Sequence, residues 1–396
     1  MKRRCQSVNT LPSNWTLPFP GGVARVVECS ALKEAEPWRT AFARYAKDHR
    51  FYEIVEETLD GRFEHHYLVL EDQAAQVRAV QPLFFLRQNL IEGVPALRGA
   101  VEFIRRRFPR FMTMRALMIG CAAGEGHLGV CHPGDEEWAA AALRSVLVRL
   151  ARSGRASLIV FKDFGASYRG ALHPLCANGY ARVASMPMTR LSLRYRDFDE
   201  YFGTLSRAAR KDLRRKFRKA ENAAPIQLEV ATDVRLMIDE LYPLYSQVHE
   251  RSHLKFETLT KDYFSEIGRR MPDRARFFIW RKDSRLIAFS LCLVHNGAIY
   301  DECLGLDYSI ALDLHLYFYT LRDIISWALE HGLTSYCSGP LNYEPKLHLD
   351  CELAPLDLYV MHTSPWLNPI FRRALKFLQP TRHDRVLRRF PNASEL

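Results

Sequence analysis

"RFFIWRKDSRLIAFSLCLVH", residues 276–295, reads as two strands around a short charged turn. Large apolar residues crowd both flanks and Lys282, Asp283 and Ser284 interrupt them, which is the pattern of a β-hairpin. Residues 65–87, "HHYLVLEDQAAQVRAVQPLFFLR", repeat that layout in the first half of the chain. The order of elements after each hairpin repeats as well. After the first come the strand "RALMIGC", a loop, a helix from about Glu136 to Ser153 ended by Gly154, and the strand "ASLIVF". After the second come "AIYDECLG", a loop, the helix "HLYFYTLRDIISWALEHG" closed at Gly332, and the strand "LTSYCSG". A helix closed by Gly and followed at once by a short strand is the expected stop signal. The economical reading is an α+β chain built from a duplicated unit, each copy with a mixed central sheet.

The join falls between about residues 185 and 205, giving one unit over 1–195 and a second over 196–362. Residues 363–396 hold "WLNPIFRRALKFL", which predicts an amphipathic helix, and then a basic tail. A length of 396 residues suits two domains.

Hydrophobic residues make up 48% and charged residues 26%, an ordinary globular balance. The net charge of +11 points to an acidic partner: a phosphate ester, a nucleic acid or a membrane surface. Nine cysteines without a CxxC pair do not make a disulfide framework or a zinc site, so the thiols read as buried and reduced, and no metal is expected. The basic start "MKRR" is followed by no apolar stretch of secretory type, and no apolar run reaches the roughly 18 residues of a membrane span. A cytoplasmic protein without an integral membrane segment is expected.

Charge concentrates in "LSRAARKDLRRKFRKAE", residues 205–221. Leu205, Ala209, Leu213 and Phe217 fall four apart and predict an amphipathic helix docked by one narrow stripe, with a strongly positive outside. Like charges crowded on one helix repel one another without a counter-ion. Base-reading side chains and a helix-turn-helix context are not visible. Arg214 and Arg215 are therefore candidates for holding a phosphate-bearing substrate, against the plainer reading of a solvated face.

The run from "FDEYFGTLSRAARKDLRRKFRKAE" through the second hairpin, "YDECLGLDY", the Gly332 stop and "GPLNYEPKLHL" resembles bacterial predicted N-acyltransferases related to the Fem-type peptidyltransferases, which carry tandem domains of the GNAT fold. The resemblance covers residues 195–362, and the first half by layout. It implies an acyltransferase moving an acyl group to an amine, with acyl-CoA as co-substrate and no tightly bound cofactor. The alternative within enzymes is a Fem-type transferase using aminoacyl-tRNA on a cell-wall precursor. The alternative outside enzymes is a non-catalytic protein holding nucleic acid or an anionic surface. The acceptor would be a small-molecule or cell-wall-precursor amine, with tRNA a further possible partner; the oligomeric state stays open.

Transfer to an amine requires a base and a site that polarises the acyl carbonyl. In "YDECLGLD", Asp301 and Glu302 occupy adjacent strand positions and point to opposite faces, so one can reach a cleft. The resemblance implies a carboxylate base on this strand: Glu302 first, Asp301 second, with sheet-rim charges as the plainer reading. His315, near the start of the following helix, is a third candidate acid or base. The resemblance also implies a substrate-contacting Lys at Lys346. The loop "LDYSIALDLH" of the second half lacks the Gly-rich phosphate signature of GNAT enzymes. In the first half, "CAAGEGHLG" sets Gly124, Gly126 and Gly129 in a GxGxxG spacing after a strand, where backbone amides could approach a phosphate.

Overall fold

A computed structural model describes residues 11–12, 15–59, 61–89, 98–108, 113–223, 225–252, 255–382 and 384–396. The first ten residues, with their basic start, lie outside the described residues.

Strands β1 (Thr16–Phe19) and β2 (Gly22–Val27) lead to helices α1 (Glu36–Phe42) and α2 (His49–Thr58). The first hairpin comes next as β3 (Glu64–Asp72) and β4 (Val77–Asn89). Then come α3 (Arg98–Arg105), β5 (Thr113–Ile119), α4 (Glu136–Ser153), β6 (Leu158–Gly165), α5 (Arg169–Ala177), β7 (Ala181–Ala184) and β8 (Met188–Ser192). The second half runs α6 (Phe198–Thr204), α7 (Arg207–Ala223), β9 (Ile226–Ala231), α8 (Ile238–Arg251), α9 (Lys261–Arg270), β10 (Ala275–Lys282), β11 (Arg285–His295) and β12 (Ala298–Leu306). It ends with α10 (Leu316–Glu330), β13 (Ser335–Ser338), α11 (Tyr343–His348), β14 (Glu352–Ala354), β15 (Leu356–His362) and α12 (Asn368–Leu378).

The quoted hairpin is β10–β11. Asp283 and Ser284 form its turn with φ of +49° and +62°, the left-handed pair that matches the twist of the flanking strands. Side chains alternate as the pleat requires: Phe277 and Ile279 face one core, Phe278 and Trp280 the other. Both faces are covered, which is why the sequence is apolar throughout rather than at every second residue.

Two mixed sheets result, ordered β1-β2-β3-β4-β5-β6-β15-β7 and β14-β8-β13-β12-β11-β10-β9. Each has one parallel pair, β5 with β6 and β12 with β13, and each pair is bridged by a long helix, α4 or α10. Beyond those pairs the halves trade strands. β8 belongs to the first half by sequence but pairs with β13 and β14, whereas β15 lies between β6 and β7 of the first sheet.

The layers follow from the cores. α4 and α5 cover the outer face of the first sheet, and α6, α7 and α10 cover the outer face of the second. Between the sheets lie α1, α2, α8 and α9, whose Trp38, Phe51, Leu244 and Phe264 join residues of both sheets in one continuous core.

Candidate active site

Strand β12, which carries Asp301 and Glu302, owes its geometry to a bulge. Leu291 of β11 pairs with Cys303 of β12, and the next residue, Cys292, pairs with Asp301, so Glu302 is the extra residue. A bulge bends the strand and re-aims a side chain. Pairing of β12 with β13 ends at Asp301 and Ser338, and past that point the two strands part. Glu302, Cys303 and Leu304 then face Gly339, Pro340 and Leu341 across a cavity of about 580 Å³.

The cavity lies between the two halves. Met118, Leu158 and Val160 of the first sheet line it, with Leu356, Leu358 and Val360 of β15. Tyr245 and Tyr263 come from α8 and α9, and Phe371 and Leu375 from α12. Along β6 the inward positions read Leu158, Val160, Lys162, so one strand carries the wall from apolar to charged.

At the charged end one buried cation sits between two carboxylates. Asp48 caps α2 by accepting from the Arg50 amide at 3.0 Å, which sets the preceding Lys47 inside the molecule, 1% exposed. The Lys47 ammonium donates to Glu125 and lies 2.8 Å from Glu302 Oε2. Burial works to lower the Lys47 pKa, but the two carboxylates outweigh it and hold the ammonium charged. Glu302 Oε1 is buried with no hydrogen-bond partner among the described residues. Burial pushes the Glu302 carboxyl up to about 7; Lys47 opposes and Glu125 adds to the rise. Glu125 goes the other way: despite burial, Lys47 and His127 hold it well below the usual carboxylate range. His127 Nε2 is 3.5 Å from Glu125, and its ring stacks on Tyr45 at 3.8 Å.

Asp301 points to the opposite face, as strand alternation demands. Ser290 Oγ and the Tyr336 hydroxyl, at 2.8 Å, both donate to it, and burial raises its pKa. It serves the outer core and does not reach the cavity. Lys346 is 2% exposed and lies behind the cavity wall. Its ammonium donates to the carbonyls of Gly339 and, at 2.9 Å, Leu341, holding a loop in which Leu341 and Asn342 have φ of +73° and +49°. Burial lowers the Lys346 pKa to about 8, against Asp301.

Gly124 lines the cavity, and its carbonyl accepts from Lys162 at 2.9 Å. Gly126 and Gly129 have another use. The Gly126 amide donates to the Asp163 carbonyl at 2.9 Å and the Gly129 amide to Gln81 Oε1 at 3.2 Å. A Cβ on Gly126 would overlap the Lys162 carbonyl, and one on Gly129 the Val80 carbonyl. The GxGxxG loop thus fills the gap where β5 and β6 part; its second and third glycines spend their amides on the protein rather than on a phosphate.

His315, Arg214 and Arg215 lie outside the cavity lining. His315 occupies the position before α10 at φ +51° without a side-chain capping bond; burial and the nearby Lys219, Lys216 and Arg215 lower its pKa. Leu213, Phe217 and Ala220 of α7 are buried against α10 and its neighbours, while Arg214, Arg215, Arg218 and Lys219 stay exposed. Arg215 pairs with Asp212 at 2.8 Å, and Arg214 lies over the Phe202 ring. Lys47, Glu125, Lys162, Asp163 and Glu257 carry no signal that singles them out in the sequence. Glu125 sits inside the noticed "GEG", but nothing local marks Lys47.

Among the described residues no cluster of His, Cys, Asp or Glu could hold a metal, no helix is long and apolar enough to cross a membrane, and the cysteines are free.

The chain folds as two α+β units, each with one parallel strand pair among the described residues, and the second unit holds a domain of GNAT type. Residues 207–346 match the family model of the GNAT acetyltransferase domain. Among solved structures, the chain is similar to a tandem GNAT protein from the clavulanic acid biosynthesis pathway, at 11% identity and a TM-score of 0.48, over 86% of this chain and 99% of that one. It is similar to L-PGS from Bacillus licheniformis at 12% identity and 0.47, over 85% and 97%. It is similar to FemX at 14% and 0.46, over 78% and 90%. Among curated proteins none matches the chain.

Proposed function

We propose that the chain is an N-acyltransferase whose general base is Glu302, taking the acyl group from acyl-CoA and passing it to an amine. The observation that carries this reading is the buried, unpaired Oε1 of Glu302 in the cavity where β12 and β13 part, on a carboxyl raised to about 7. A base near neutrality is ionised often enough to act and still basic enough to take a proton. The acceptor ammonium loses one proton to Glu302, the free amine adds to the acyl carbonyl, and as the tetrahedral adduct collapses the second proton on its nitrogen passes to the departing thiolate, giving the amide and the free thiol. On the same wall Glu125 pairs with Lys47 and Asp163 with Lys162 at 2.7 Å, so the lining holds carboxylates and ammonium groups side by side. The parting of β12 from β13 leaves room for an extended donor beside Gly339. Exposed cations of α7 next to the first turn of α10 suit the donor's phosphates.

The same basic face keeps the aminoacyl-tRNA reading as the second, because it suits a long polyanion as well as a short one. Glu302→Gln tests the base. Turnover falls by about 10²–10⁴ with the melting temperature nearly unchanged, and the wild-type kcat/KM rises with pH through about 7. Wild-type turnover in the variant removes Glu302 from the mechanism.

A further inference from the structure

Eight large hydrophobic residues are exposed among the described residues, and five of them fall in two short segments: Phe103 and Phe108 at α3, and Trp366, Leu367 and Ile370 at the start of α12. Trp366 is 88% exposed and Phe103 73%. The two segments lie at one end of the first sheet. β4 ends at Asn89 opposite Thr113, the first residue of β5, and Leu158, the first residue of β6, pairs with His362, the last of β15. α3 joins β4 to β5 at that end, and α12 leaves β15 there. Arg105 of α3 donates to Asn89 at 2.7 Å. Asn368 anchors α12, accepting from the His362 amide and donating to the Gly179 carbonyl.

In these two stretches of described residues, charge is nearly all of one sign. Arg106 and Arg107 flank the α3 aromatics, and Arg372 and Arg373 follow Ile370, all four exposed; Glu102 is the acidic residue in these stretches. The inner side of α12 faces the cavity through Phe371 and Leu375, and Gln88 and Asn89 lie on the same wall. This is also the end at which the wall of β6 is apolar.

Exposed Trp and Phe beside aliphatic residues, with arginines at their margin, suit the level between headgroups and acyl chains of a bilayer. Arginines add attraction to anionic headgroups. We propose that the α3–α12 end docks on an anionic membrane surface, Trp366, Ile370 and Phe103 dipping below the headgroups while Arg372, Arg373, Arg106 and Arg107 meet their phosphates. The docked end carries the apolar wall of the cavity, so an alkyl chain leaving the bilayer passes to Phe371 and Leu375 without crossing water.

Cosedimentation of the full chain with vesicles tests this, comparing pure phosphatidylcholine with an equimolar mixture of phosphatidylcholine and phosphatidylglycerol. Binding to the mixed vesicles and little to the neutral ones is expected, with a blue shift in tryptophan emission that Trp366→Phe removes. Arg372→Gln with Arg373→Gln lowers affinity for the mixed vesicles about 30-fold, and Trp366→Ser with Ile370→Ser lowers it about tenfold or more. These side chains are exposed, so melting temperatures stay near wild type. Absence of binding to mixed vesicles overturns the proposal, as does binding that survives both double variants. Self-association that Trp366→Ser with Ile370→Ser abolishes, without vesicle binding, overturns it in favour of a second copy of the chain. Glu302→Gln retains vesicle binding, so the outcome is independent of whether Glu302 is the base.

Discussion

Lys47 holds the electrostatics of the site together. It is the cation within reach of both Glu125 and Glu302, and all three side chains are largely removed from water. Two ionised carboxylates and one ammonium leave an excess negative charge, which burial penalises. The excess falls on Glu302, since Glu125 has His127 as a second partner. Raised from 4.5 to about 7, Glu302 favours the folded state most while it is protonated. That stabilisation is complete below 4.5 and is lost as pH rises through about 7. Lys47→Met removes the charge that keeps the Glu302 pKa from rising further. The midpoint of the pH–rate profile then moves above about 7, and the folded state loses about 3 kcal/mol through the uncompensated carboxylates. The measurements are kcat/KM against pH and denaturant unfolding at neutral pH. An unmoved midpoint would separate Lys47 from the tuning of Glu302.

Among the elements, those set by neighbours in sequence were legible and those set by distant pairing were not. Both hairpins, the helix closed by Gly154 and the helix before Gly332 follow from local pattern and stop signals. The α7 stripe was legible too: Leu213 and Phe217 are buried, and the Ser206 hydroxyl accepts from the Ala209 amide at the helix start. The bulge was not, since a surplus residue exists only relative to the register of the partner strand. Opposite faces for Asp301 and Glu302 followed from alternation, but which face held the cavity did not. GxGxxG suggested a phosphate cradle, whereas its glycines admit Gln81, Lys162 and Val80, contacts fixed by the fold. For α7, changing Arg214, Arg215 and Lys219 to Gln preserves the buried stripe and helix propensity, so folding survives. If the helix holds a polyanion, each lost contact makes the log–log salt slope shallower by about 0.7 for a single-stranded nucleic acid. A CoA-type donor with few phosphates shows a weaker dependence. Titrating both ligand classes against salt decides between them, and affinities unchanged in the variant would leave α7 a solvated face.

At the scale of the molecule, duplication was visible in the sequence but the degree of fusion was not. A join near residues 185–205 divides the sequence into two units, yet β8 and β15 cross that join in opposite directions. Pairing across it commits backbone hydrogen bonds of each half to the sheet of the other. The helices between the sheets add one hydrophobic core shared by both, containing Trp38 and Phe51 from the first half and Phe264 and Phe289 from the second. Units joined by a large apolar interface lose the independent motion expected of ordinary domains. The site depends on that fusion, because Lys47 and Glu125 come from one half and Glu302 from the other. Unfolding of the second unit would strip β8 from its partners and pull β15 from between β6 and β7, so neither half can melt while the other stays intact. Scanning calorimetry of the full chain is therefore expected to give one transition whose calorimetric and van't Hoff enthalpies agree. Limited proteolysis in the 193–197 connection should leave the two pieces associated and co-eluting. Two resolved transitions, or a fragment 196–362 that folds alone with a sharp melt, would mean that the exchanged strands do not bind the units into one cooperative body.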